Sequence, residues 1–129
     1  MMNDTLAIAL SNIQNAEKAA KDYCIIKPIS KVIKKVLDVM KKYNYIKGYE
    51  VLTEARGGVI KVHLAGSINK CNAIKPRFPV KVGNYEKFEK RYLPAKNVGL
   101  LIVSTSRGIM TSEEAKEKNL GGVLLSYVY

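Results

Sequence analysis

Ser104-Thr105-Ser106-Arg107-Gly108-Ile109-Met110-Thr111 brings three consecutive hydroxyl side chains, one guanidinium and one glycine into a few residues late in the chain. Such a stretch can offer hydroxyls, backbone N–H groups and a cation to phosphates, ribose hydroxyls or base edges. Short hydroxyl side chains also let the backbone approach a ligand that longer ones would hold off. On spacing alone the stretch reads first as a well-capped turn rich in Ser, Thr and Gly, because it matches no general nucleic-acid motif.

Two further groups carry the same chemistry. Asn12 and Asn15, with Ser11 and Lys18, form the polar side of an amphipathic helix from Asp4 to Ala20. They suit a nucleic-acid backbone, although a solvated helix face has the same composition. Lys31, Lys34, Lys35, Lys41 and Lys42 cover the outer face of a second helix, from Ser30 to about Tyr43. Lysines so placed can track phosphates, which position a protein without reading sequence. Lys75, Arg77 and Lys81 alternate along one side of a further segment and can line a groove.

The elements that must hold these groups follow from periodicity. Leu6, Leu10, Ile13, Ala16 or Glu17, and Ala20 form the inward stripe of the first helix, and Val32, Ile33, Val36, Leu37 and Met40 that of the second. Residues 22–27 predict a strand closed by Pro28. Tyr49–Thr53 and Val59–Leu64 predict a hairpin whose turn is Arg56-Gly57-Gly58. Residues 73–82, interrupted by Pro76 and Pro79, predict an edge strand or bent ribbon. Asn84–Tyr92 predicts a helix ended by Pro94, with Lys87, Lys90 and Arg91 exposed. Gly99–Val103 reads as a buried strand, and Thr111-Ser112-Glu113-Glu114 has the spacing of a capping box opening a short helix. The hydroxyl-rich stretch would thus be a loop pinned between strand and helix. A last strand, Gly122–Tyr129, follows a Gly121-Gly122 turn.

The expected fold is α+β in two small lobes. Residues 1–66 form an α-β-α-β-β lobe and residues 67–129 a mainly β lobe with short helices, divided near Gly66-Ser67.

Composition narrows the partners. The 129 residues carry 22 Lys and Arg against 11 Asp and Glu, a formal net charge of +11, which points to a polyanion and first to nucleic acid. No run approaches transmembrane length, and Met1-Met2-Asn3-Asp4 does not open as a signal peptide does. Cys24 and Cys71 are far apart and lack the paired spacing of a zinc site, so they read as reduced, buried thiols. The single histidine, His63, has no motif around it and reads as a structural or surface residue. No metal or cofactor is expected.

Taken together, Gly99, the stretch Ser104 to Thr111, Glu114-Ala115, Gly121-Gly122 and Tyr127-Val128-Tyr129 resemble the C-terminal signature of the universal family of the eighth small-subunit ribosomal protein. Ile13, Asn15 and Ala16 resemble that family's opening Ile-x-Asn-Ala, and the resemblance runs over essentially the whole chain. Lys75-Pro76-Arg77-Phe78-Pro79-Val80 replaces the glycine-and-arginine segment of the bacterial pattern, which marks the archaeal and eukaryotic branch.

The resemblance implies a structural constituent of the small ribosomal subunit, not an enzyme. Such a protein binds the central domain of small-subunit rRNA as a primary binder and helps its folding and assembly. In some members it also represses translation by binding its own messenger RNA. It implies RNA contacts from Asn12, Asn15, Lys31, Lys34, Lys75, Arg77, Ser104, Thr105, Ser106, Arg107 and Gly108, those of the middle segment being carried over across a departure from the pattern. Tyr127 and Tyr129 read as packing residues, with base stacking as the alternative. The implied state is cytoplasmic and ribosome-bound beside neighbouring ribosomal proteins, monomeric when free and without a membrane partner.

Two rival functions remain at this point. An enzyme acting on a phosphorylated metabolite would need a Walker-type glycine-lysine pattern, a G-x-S-x-G elbow or a carboxylate-histidine cluster, none of which is present. A non-ribosomal basic RNA- or DNA-binding protein would bind according to salt and strand length, with little regard for the fold of the RNA.

Overall fold

The computed structural model describes residues 5–26, 31–53, 58–74, 77–95 and 98–129. The chain divides into two compact units, Met1–Cys71 and Asn72–Tyr129.

In the first unit α1 (Thr5–Lys18) buries Leu6, Ala9, Leu10, Ile13 and Ala16, the three- and four-residue stripe expected of it. The stripe stops one turn earlier than its spacing suggested. Ala20 is exposed and left-handed, with φ +57°, and acts as a helix stop. Its N–H donates to the Glu17 carbonyl at 3.0 Å while the Lys21 N–H donates to the Ala16 carbonyl at 3.0 Å, the paired bonds of a Schellman closure.

The strand β1 (Tyr23–Ile26) turns Cys24 and Ile26 inward. Helix α2 (Lys31–Lys42) buries Ile33, Val36, Leu37, Val39 and Met40. Val39 lies outside the predicted stripe, and Val32 and Lys34 are half-buried. The reason is that α2 packs against both α1 and the next strand, which widens its buried arc. It closes as α1 does, on the left-handed Asn44.

Strand β2 runs from Ile46 to Thr53, three residues longer than its alternation suggested, because a register shift between Ile46 and Gly48 breaks the period. With β3 (Val59–Leu64) it completes an antiparallel sheet in the order β1-β3-β2. Arg56 and Gly57 of the predicted turn, and the helix cap expected at Ser30, lie outside the described residues. Ile26, Ile46, Ile60, Val62 and Leu64 send the sheet's inner face into the core, each contributing about 1.5–3 kcal/mol.

From Cys71, the last residue of the first unit, onward, two short strands stand where the ribbon was predicted, β4 (Cys71–Ala73) and β5 (Pro79–Val80). A 3-10 turn at Val82–Asn84 leads into α3 (Tyr85–Tyr92), which ends before Pro94 as expected. Then come β6 (Leu100–Thr105), β7 (Gly108–Thr111), α4 (Ser112–Glu117) and β8 (Gly122–Val128). The sheet order is β4-β8-β6-β7, and β5 also pairs with β8. Because β6 takes one side of β8 along its whole length, β4 and β5 share the other side, as a bent ribbon must. Ile74, Val80, Tyr85, Leu101, Val103, Met110, Ala115 and Leu124 form the core. Tyr85 is fully buried, and its hydroxyl donates to the Leu120 carbonyl at 2.9 Å. The architecture is the expected α+β.

Candidate nucleic-acid interface

The stretch Ser104 to Gly108 is not the open loop its sequence suggested. Strands β6 and β7 pair in antiparallel register, Ser104 opposite Ile109 and Thr105 opposite Gly108, so only Ser106 and Arg107 remain as the turn. Ser104 and Thr105 end one strand and Gly108 opens the next. The Thr105 hydroxyl donates to the Gly108 carbonyl at 2.8 Å and accepts from the Arg107 N–H at 3.1 Å. Gly108 has φ +114°, a conformation that favours glycine whatever the space around it.

The five candidate residues therefore divide. Thr105 and Gly108 build the turn. Ser106 and Arg107 are exposed at its tip and Ser104 is half-buried beside them. Among the described residues the Ser104 and Ser106 hydroxyls and the Arg107 guanidinium have no partner, so their hydrogen-bonding capacity is unspent.

The hairpin is held from below. Thr111, only 1% exposed, caps α4 by accepting from the Glu114 N–H at 3.2 Å. The Thr111 hydroxyl also donates to the Glu114 carboxylate at 3.4 Å. Ser112 donates to Glu89, whose other oxygen meets Lys116 Nζ at 3.0 Å, and these bonds tie α4 to α3. They border a cavity of about 350 Å³ between α3, α4 and β6, lined among others by Glu86, Leu93 and Leu101. Its one half-buried carboxylate aimed at other side chains, Glu89, is committed to Ser112 and Lys116.

In the first unit Asn12 and Asn15 are exposed on the same face of α1, as their spacing predicts. They line an open groove of about 700 Å³ whose other wall is β1, with Tyr23, Cys24 and Ile25. Lys31, Lys35, Lys41 and Lys42 are exposed on α2, and Lys34 lies half-buried among them. Arg77 is exposed just before β5; Lys75 lies outside the described residues. The structure thus collects the hairpin residues at one tip, the two asparagines on one helix face and two lysines on another helix.

Other chemistry is accounted for structurally. Tyr127 stacks between Tyr92 and Tyr129, with ring centroids at 5.4 and 6.2 Å, which makes the C-terminal tyrosines packing residues. His63 Nε2 lies 3.0 Å from Glu50 Oε1 across the sheet. Both cysteines are buried and free. Burial, with the Glu17 charge behind it, pushes the Cys24 thiol up to about 11. Burial and the neighbouring Cys24 and Glu17 push Cys71 up to about 12, and its Sγ donates to the Leu10 carbonyl at 3.3 Å. Among the described residues no group of three or more His, Cys, Asp or Glu is arranged to hold a metal.

Charge and motif reasoning passed over the exposed side chains of β1, Tyr23 and Ile25. The alternation Tyr23-Cys24-Ile25-Ile26 carried the signal, since it turns Tyr23 and Ile25 outward.

Comparison with known proteins bears on the chain's family. The family described as ribosomal protein S8 matches residues 4–129. The small ribosomal subunit protein uS8 of the archaeon Archaeoglobus fulgidus is 54% identical over 129 residues, covering 100% of both chains. That archaeal likeness fits the branch indicated by Lys75-Pro76-Arg77-Phe78-Pro79-Val80. A chain matched from end to end in this way belongs to the ribosomal protein S8 family, and is a structural ribosomal protein, not an enzyme.

Proposed function

We propose that the chain is a primary rRNA-binding protein of the small ribosomal subunit, which attaches within the central domain of the rRNA and helps it to fold during assembly. The observation that carries this reading is the β6–β7 tip. There the unspent hydroxyls of Ser104 and Ser106 and the guanidinium of Arg107 stand on a turn fixed by Thr105, in a chain of net charge +11.

Binding works in two layers. Lysines of α2, with Lys75 and Arg77, supply a salt-sensitive attraction to phosphates. The hairpin tip and the Asn12, Asn15 face then read a widened minor groove. The deep major groove of A-form RNA excludes side chains, whereas its minor groove presents ribose hydroxyls and base edges. A messenger RNA folded in the same way would occupy the same surface, which gives the repressor role. Neighbouring ribosomal proteins complete the setting, and the free protein is a cytoplasmic monomer. No helix among the described residues is long and apolar enough to cross a membrane.

The deciding experiment is binding to a central-domain fragment of small-subunit rRNA in physiological salt with excess transfer RNA. Tight binding that survives the competitor is the expected result. Binding lost to the competitor would reduce the chain to a basic RNA binder without preference for a fold.

A further inference from the structure

Helix α3 sorts its charges onto two sides. Glu86, Glu89 and Lys90 line the cavity beside α4, where Lys90 Nζ lies 4.0 Å from Glu86 Oε1 and Glu89 is committed to Ser112 and Lys116. Lys87 and Arg91, one turn apart and both exposed, stand on the side of Phe88 instead. The carboxylates of α3 are thus spent on one side, and two cations are left on the other. Among the described residues neither Lys87 nor Arg91 has a carboxylate partner.

Arg91 is also held in place. Its Cζ lies 5.6 Å from the centre of the Phe78 ring and 5.6 Å from that of Tyr92, within reach of a cation–π contact to each. Both rings are anchored. Phe78 lies 5.7 Å from Phe88, centre to centre, and its carbonyl accepts from the Leu124 N–H at 2.9 Å, while Tyr92 stacks on Tyr127. A long side chain steadied in this way has less rotamer freedom to lose when it meets a ligand. The N–H groups of a guanidinium lie in its own plane, in a fork that matches two oxygens of a phosphate.

We infer that Arg91, steadied by Phe78 and Tyr92 and with Lys87 beside it, clamps a backbone phosphate of the bound rRNA. The inference rests on the RNA-binding reading above and adds to it a contact on α3. An acidic protein segment is the less suited occupant. Cations repeated at one-turn spacing along a helix, in a chain of net charge +11, suit the regular charges of a nucleic-acid backbone.

The test is binding to the central-domain rRNA fragment over a series of salt concentrations, with excess transfer RNA. Arg91→Ala should bind about ten-fold more weakly, the scale of one charge-assisted hydrogen bond, and should lower the slope of log affinity against log salt by about one. Arg91→Lys should restore the slope but only part of the affinity, because an ammonium lacks the planar fork. Lys90→Ala, on the cavity side of the same helix, should change neither. Arg91 is exposed, so its replacement leaves the fold in place, which a thermal melt verifies.

An affinity or a salt slope unchanged in Arg91→Ala would overturn the clamp and leave the hairpin reading intact. Full recovery in Arg91→Lys, or an equal loss in Lys90→Ala, would replace the clamp with unspecific charge and overturn it as well. Failure of the wild type to hold the fragment against transfer RNA would overturn both readings.

Discussion

Thr105 and Gly108 face each other at the end of the β6–β7 hairpin, and the Thr105 hydroxyl, which donates to the Gly108 carbonyl at 2.8 Å and accepts from the Arg107 N–H at 3.1 Å, closes the turn that exposes Ser106. Two neighbouring hydroxyls therefore have different work, and mutation should separate them. Thr105→Val should cost about 1 kcal/mol of stability in urea denaturation, and it should weaken RNA binding through a loosened tip. Ser106→Ala should leave the denaturation midpoint in place and weaken rRNA binding by about 1–2 kcal/mol. An RNA affinity unchanged by Ser106→Ala would remove that hydroxyl from the interface.

Gly122 fixes the hairpin from the other side. It pairs with Thr105, and a Cβ there would fall 2.5 Å from the Ser104 carbonyl oxygen and 3.1 Å from Thr105 Cγ2. Backbone cannot yield as a side-chain end can. Gly122→Ala should cost about 1–3 kcal/mol of stability and lower RNA affinity by displacing Ser104. Equal affinity in the folded variant would show that the position of Ser104 does not matter for recognition.

Ala20 offers a change in the opposite direction. It stands at φ +57°, where a Cβ is unfavourable, and its N–H already completes the closure of α1. Ala20→Gly should stabilise the chain by about 0.5–1 kcal/mol, as relief of the left-handed strain exceeds the added entropy of the unfolded chain. Chemical denaturation reads this directly.

Glu17 carries a pH signature. Burial raises its carboxyl above the ordinary range, and the Gly66 N–H, 3.3 Å from Oε1, opposes that shift only in part. A carboxyl whose folded pKa exceeds its unfolded pKa binds its proton more tightly in the folded state. Stability from this group is thus full below the unfolded pKa and falls as pH rises through the folded one. Glu17→Gln keeps an acceptor for Gly66 and cannot ionise. The stability difference between variant and wild type should grow in the variant's favour from about pH 4 to pH 7, and a flat difference would refute the assignment.

What the sequence disclosed, and what it hid, follows from the length of each signal. The stripes of α1 and α2 were legible because large apolar residues recur over three or four turns, and α3 because Pro94 stops it. Strand β7 was not, because four residues that begin with a glycine carry no period of their own, and Ser106-Arg107 is not among the dipeptides that announce a tight hairpin. The start of β2 was hidden by a bulge, and the inward position of Val39 by a second packing partner for α2. For the site, the residue types of Ser104, Ser106 and Arg107 were readable. That Thr105 is spent internally was not, since only the pairing opposite Gly108 brings its partner within reach.

Strand β7 also bears on how the chain avoids pairing with copies of itself. It is the outermost strand of its sheet, and such an edge invites a second chain to pair with it. Here the invitation is brief: four residues, opened by a left-handed glycine and closed by a threonine that turns the chain straight into α4. A hairpin whose tip stands exposed is thereby kept too short to seed aggregation.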